Sequence, residues 1–401
     1  MRERFRLVNI DMLSRLSLCV VLLSIGMTLV WPINVVYMHD AFGRTASAAG
    51  LVLLFNNGAS FVGNILGGFI YDRWGGKTTV YAGIVGSASV VTAMGIVRDF
   101  YGYAALLTLL GFFGGLVYPV INAVAVSSSP GKELKAVNRI FVSHNIGMAL
   151  GASLGGLIAD MSIRALFFGN ALLYVLFLVM FAAFIREPIT PGQAARSNRS
   201  GDGREVAHGS KFIVILCIAF AISWLCYSQW AAIVPLHSQE NGISFRSYSM
   251  LWTINGALIM LSHPVKMRLL IRYPVTARGQ VVIGSMLFGL GLLAVGLSIH
   301  YSQFVVAMIL MTLGEILVFP SVPAWALEKV GPKARGRVMG WVAASSTAGR
   351  MAGPFIGGIL YENIGGKGMF AIMAVVCVAG IGLYLIPDKL SDAQRARTVS
   401  E

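Results

Sequence analysis

Twelve apolar runs, each long enough to cross a hydrocarbon layer about 30 Å thick, alternate with short polar stretches along this 401-residue chain. They cover 14–38, 47–71, 78–97, 102–127, 138–160, 165–185, 212–236, 248–270, 280–299, 304–327, 338–360 and 369–387. Inside such a layer the backbone must satisfy its own hydrogen bonds, so runs of this length read as helices. Charged residues make up 12% of the chain, about half the share of a soluble domain, which argues against a soluble fold and excludes intrinsic disorder. The expectation is an all-α membrane protein with twelve transmembrane helices.

The net charge of +14 invites a nucleic-acid reading, but no basic run exceeds a short loop. Orientation explains the excess better. With the N-terminus inside, 25 Lys and Arg fall in inner segments and 5 in outer ones (Arg44, Arg98, Arg164, Arg246 and Lys367). Both termini are therefore expected in the cytoplasm, the chain is expected to be multi-pass in the cell (inner) membrane, and no nucleic-acid partner is expected. Cys19, Cys217, Cys226 and Cys377 lie in apolar runs without a C-x-x-C spacing, which indicates neither a zinc site nor a redox pair.

The longest polar stretch divides the chain into 1–187, a basic linker at 188–210 and 211–401, with six runs on each side. The halves are related. Gly147, Gly151, Gly155, Gly156 and Asp160 in run five recur at a constant offset of 202 as Gly349, Gly353, Gly357, Gly358 and Glu362 in run eleven. Pro130 and Pro332 keep that offset, and Tyr118-Pro119 matches Phe319-Pro320 at 201. A duplicated six-helix unit explains such a register, and repeated halves are a signature of secondary transporters. Glycines four apart let a neighbouring backbone come close, which serves plain helix packing or a surface that slides during transport. Pro354 replaces Ala152 of the first half and is expected to favour bending in run eleven.

The loop after run two, Gly68-Phe69-Ile70-Tyr71-Asp72-Arg73-Trp74-Gly75-Gly76-Lys77, resembles the signature loop of the major facilitator superfamily, with Gly76 in place of the usual Arg. The glycine pattern of runs five and eleven is similar to the antiporter motif of its drug–proton antiporters: complete in run eleven (Gly349, Gly353, Pro354, Gly357), without its proline in run five (Gly147, Gly151, Gly155). Thr312-Leu313-Gly314-Glu315-Ile316, followed by Pro320-Ser321-Val322, looks like the acidic helix-ten segment of the multidrug transporter LmrP and its relatives. The resemblance implies two pseudo-symmetric six-helix bundles that rock to alternate access, with runs one, four, seven and ten around a central cavity. It also implies a cytoplasmic latch built on Asp72 with Arg73, Gly75 and Lys77, and proton coupling through Glu315. The membrane arginine that many such antiporters carry in run four, and the acidic residue some carry in run one, are missing here.

Glu315 and Arg350 alone place a charge near mid-span, where insertion costs about 2.5–3.5 kcal/mol. Runs ten and eleven are consecutive and antiparallel, so the two fall at similar depth. Either they form a permanent pair, or Glu315 carries a proton and Arg350 modulates it in one state; Arg350 is also the natural contact for an anionic substrate. Substrate-binding candidates are Asn34, Tyr118, Asn122, His144, Trp224, Tyr227 and Glu315. Trp224, Tyr227, Trp230 and Trp252 offer aromatic faces to lipophilic cations. The expected function is proton-coupled efflux of lipophilic or cationic small molecules by a monomer that draws on the proton gradient, without cofactor or metal. The alternatives are transport of an organic anion or nutrient through Arg350, and a non-transporting membrane sensor or scaffold. Without a Walker A pattern, a metal-ligand cluster or a nucleophile–base signature, no enzyme is expected.

Overall fold

The computed structural model describes residues 12–127, 133–185, 210–330 and 335–400. The linker predicted at 188–210, apart from its last residue, and Pro130 and Pro332 lie outside them. Every apolar run falls on helix. The first half holds α1 (Met12–Val30), α2 (Asn34–Phe42), α3 (Ala46–Trp74), α4 (Gly76–Met94), α5 (Phe100–Ser127), α6 (Glu133–Met161) and α7 (Ile163–Phe184). The second holds α8 (Ser210–Tyr227), α9 (Gln229–Ala232), α10 (Val234–Glu240), α11 (Phe245–Arg272), α12 (Ala277–Leu297), α13 (Tyr301–Glu328) and α14 (Arg335–Ser400). Among the described residues, nine helical stretches are long and apolar enough to cross a membrane.

Proline and glycine set the breaks. A single 3-10 turn at Trp31–Ile33, with Pro32 inside it, separates α1 from α2 within run one. Run seven is divided into α8, α9 and α10, with Pro235 in the first turn of α10. Runs eleven and twelve share α14, whose one departure from helical dihedrals is Gly365 at φ 69°, ψ 172°, a conformation that side chains avoid. The dihedrals stay helical through Pro354, so the bend expected there is not made by a backbone break.

The chain forms two compact units: Met1–Trp31 with Gly58–Gly192, and Pro32–Asn57 with Gln193–Glu401. The first unit packs α1 on α6 and α7, and α4 on α5 and α7. The second packs α8 along α14, and α12 on α13 and α14. In run numbers, the pairs one–five, three–four and three–six return as seven–eleven, nine–ten and nine–twelve, so the repeat read from glycines is a repeat of packing.

The glycine ridges make the closest of these contacts. Cβ atoms placed on Gly147, Gly151 and Gly155 of α6 would lie 2.5–2.6 Å from the carbonyl oxygens of Val21, Ile25 and Leu29 in α1. Gly349 and Gly353 of α14 stand in the same relation to Ala221 and Leu225 of α8, at 2.2 and 2.7 Å, and Gly357 lies against Gln229. The next face of α14 is small as well: Gly358 abuts Ala46 and Ser47, and the Pro354 carbonyl abuts Gly50, both on the start of α3. There the Glu362 carboxylate accepts from the Ser47 amide at 2.6 Å and its hydroxyl at 2.9 Å, which caps α3.

Candidate functional site

Glu315 lies half-buried on α13, between Leu313-Gly314 and Ile316-Leu317. One carboxylate oxygen, Oε2, receives two donors: the Tyr227 hydroxyl from the end of α8 and Asn255 Nδ2 from α11, each at 2.9 Å. Asn255 also donates to Thr312 Oγ1 at 3.0 Å, one turn before Glu315, which fixes the amide between the two helices. Two donors on one oxygen supply partners to a carboxyl group that half-burial takes from water.

The backbone beside Glu315 is opened by a proline. Pro320 has no N–H, so the Ile316 carbonyl lacks its partner within α13. Lys266 of α11, itself half-buried, supplies the missing donor through Nζ at 2.9 Å. By the sequence, Lys266 counts only as one of the 25 inner charges that set orientation. Its position three turns after Asn255, opposite a mid-helix proline, was the available signal.

An aromatic cluster flanks the carboxylate. Phe319, one turn after Glu315, stacks on Trp224 at 4.0 Å between ring centroids with the planes 3° apart. Tyr227 meets Trp224 edge-on at 5.6 Å and Phe319 at 5.0 Å, and Phe288 of α12 and Phe220 of α8 complete the cluster. Arg350 lies over the Trp224 ring, 4.9 Å from its centroid, and its Nη2 reaches Thr347 Oγ1 at 3.5 Å. Glu315 and Arg350 thus have different partners, separated by the aromatic layer, in place of the direct pair considered from the sequence. Trp230 and Trp252 do not join this shelf. Both are buried, and Trp252 donates to the Tyr248 hydroxyl, which in turn donates to the Trp230 carbonyl.

The Major Facilitator Superfamily profile matches residues 16–330 and 215–401. The chain belongs to that superfamily. It is 36% identical over 369 residues to the uncharacterized MFS-type transporter YttB of Bacillus subtilis, covering 91% of this chain and 92% of that one. The multidrug resistance protein MdtG of Salmonella arizonae is 24% identical over 389 residues, covering 93% of each. A crystal structure of a POT family transporter in complex with a thioalcohol-conjugated peptide shares the fold at TM-score 0.81 and 16% identity, covering 94% of this chain and 96% of that one. The nucleoside transporter NupG does so at 0.79 and 14%, covering 94% and 99%. Members of the superfamily are transporters, so this is a transporter of small molecules embedded in a membrane and not an enzyme.

The other residues that the superfamily resemblance singled out are dispersed. Asp72 and Arg73 stand exposed at the end of α3, with the Arg73 guanidinium over the Trp74 ring at 5.7 Å. Gly75 turns the chain into α4 at φ 83°, ψ 165°, which explains a glycine there, and Lys77 is half-buried in the first turn of α4. His144 Nδ1 and the Ser24 hydroxyl share a hydrogen bond of 2.7 Å that ties α6 to α1 beside the glycine ridge. Asn34 is buried at the start of α2, and Asn122 is half-buried on α5. The side chain of Tyr118 lies outside the described residues. Trp224, Tyr227 and Glu315 are the predicted substrate contacts that the structure brings together. Sequence reasoning missed Asn255 as a donor to Glu315, and nothing in the sequence separates Phe288 and Phe220 from lipid-facing phenylalanine.

Proposed function

We propose that this transporter expels lipophilic cations from the cell in exchange for protons, by alternating access across the cell membrane. The observation that carries the reading is the half-buried Glu315 carboxylate, held by Tyr227 and Asn255 at the edge of the Trp224–Phe319 stack. A negative charge beside aromatic faces suits a lipophilic cation. The same carboxylate takes up a proton when the cation leaves, so one site serves both cargoes by exclusion. Likeness to MdtG supports efflux of toxic compounds. In this reading the protein acts as a monomer, and Asp72 acts as the inner latch, at the end of α3 with the Gly75 turn behind it.

Purified protein in liposomes, with an imposed proton gradient and a fluorescent lipophilic cation inside or outside, tests the reading. Wild type is expected to move the dye against its gradient while protons flow the other way. Glu315→Gln is expected to abolish the gradient-driven component. Wild-type transport by Glu315→Gln, or transport by wild type that ignores the proton gradient, overturns it.

A further inference from the structure

We propose that Arg350 is a tethered cation occupying the substrate's place on Trp224, and that a cationic substrate binds by displacing it. The proposal rests on the cation-export reading above and names how that site is kept when empty. Three features carry it. Phe319 covers one face of the Trp224 indole at 4.0 Å, so the guanidinium at 4.9 Å sits over the other face. That position is set by the backbone: a Cβ on the preceding Gly349 would lie 2.7 Å from Trp224 Cβ and 2.2 Å from the Ala221 carbonyl oxygen. Helix α14 therefore rests directly on α8 at this indole, and residue 350 follows onto its face. Arg350 is itself exposed, so its swing away uncovers the ring without exposing a buried side chain.

The repeat adds an independent argument. By the ridge contacts, in which Gly147 meets Ser24 as Gly349 meets Trp224, Arg350 and Trp224 correspond to Met148 and Ser24 of the first half. The same glycine-ridge packing thus stands in α1 and α6 without a cation or an aromatic face, so the stacked pair is not a requirement of the fold. Tyr227 links this indole to the carboxylate, touching Trp224 edge-on and donating to Glu315. Arg350 keeps the face occupied by a like-charged group of the protein, so cations compete for it, and a neutral compound gains nothing from leaving Arg350 in place.

The test is equilibrium binding to purified protein of three probes of similar shape: tetraphenylphosphonium, neutral triphenylphosphine oxide and tetraphenylborate. A guanidinium–indole contact corresponds to roughly a 2- to 30-fold change in affinity. Arg350→Gln is expected to tighten tetraphenylphosphonium by that factor, leave the neutral probe unchanged, and lose the gain when Trp224→Leu is added. Arg350→Lys, a second variant that keeps a charge with weaker stacking, is expected to fall between. Unchanged or weaker tetraphenylphosphonium binding in Arg350→Gln overturns the proposal, as does an equal gain for the neutral probe. A loss confined to tetraphenylborate makes Arg350 an anion contact and also overturns it. Absence of tetraphenylphosphonium binding in both wild type and Arg350→Gln removes the cation-export reading together with the proposal.

Discussion

Replacing Gly151 by alanine tests whether the glycine ridge is a fitted contact or merely a composition of small residues. The new Cβ lies 2.5 Å from the Ile25 carbonyl oxygen, 2.9 Å from its Cα and 3.1 Å from its carbonyl carbon. All three are main-chain atoms, so no side chain can rotate away. Ordinary contact begins at 3.4 Å, so α1 and α6 must part locally by about 0.9 Å. A gap of that size forfeits about a quarter to a half of the dispersion energy of each contact it opens, and the contacts at Gly147 and Gly155 share the displacement. Overpacking of this kind costs about 1–3 kcal/mol, against which alanine's better helix propensity returns at most about 1 kcal/mol. The expected net loss is about 1 kcal/mol. Gly169 in α7 is the control, because a Cβ there meets nothing within 4 Å, so Gly169→Ala is expected to hold or raise stability. Thermal unfolding in detergent, followed by a thiol-reactive dye that reports buried Cys19 of α1, reads both variants. If Gly151→Ala unfolds at the wild-type temperature or above, the fitted-ridge argument is wrong.

Three further outcomes follow from the site and its frame. Tyr227→Phe removes one of two donors to Glu315 Oε2; gradient-driven dye transport in liposomes is expected to fall by about 2- to 10-fold, and transport at the wild-type rate counts against the cradle. Lys266→Met leaves the Ile316 carbonyl without a donor, and a lost charged hydrogen bond is worth about 1.5–3 kcal/mol. Adding Pro320→Ala restores the helical N–H, so thermal unfolding of the double variant is expected to show the Lys266 effect shrinking, whereas simple additivity refutes the link. Gly75→Ala forces a side chain into φ 83°, ψ 165°, with a strain of about 1–3 kcal/mol, and is expected to lower the unfolding midpoint although residues 72–74 on its N-terminal side are exposed.

The helices were legible in the chain because run length against bilayer thickness is a one-dimensional property. The repeat was legible for the same reason: the glycines keep their spacing along the chain. Their partners were not, since spacing on α6 says nothing of whether α1 or another helix lies opposite. Glu315 and Arg350 stood out as charges in apolar surroundings, but the convergence of Tyr227 and Asn255 on one oxygen joins three helices, which no local pattern encodes. Lys266 was hidden by its own charge, which fitted the inner-loop count, and Phe319 by its chemistry, which fits lipid as well as a ligand. Pro354 illustrates the reverse case. Its missing N–H suggested a bend, yet its carbonyl instead lies against Gly50 at the start of α3.

The contact between α6 and α1 is made on one side by absent side chains and on the other by carbonyl oxygens. Val21, Ile25 and Leu29 meet the ridge through atoms that every amino acid possesses. The two helices therefore carry unequal hereditary burdens. The ridge is bound to glycine at 147, 151 and 155, while those three positions in α1 are free, as far as this contact is concerned, to vary toward whatever the substrate or the lipid asks of their side chains. A duplicated frame of this kind can change its cargo by drift on α1 and α8 without renegotiating how each half is held together.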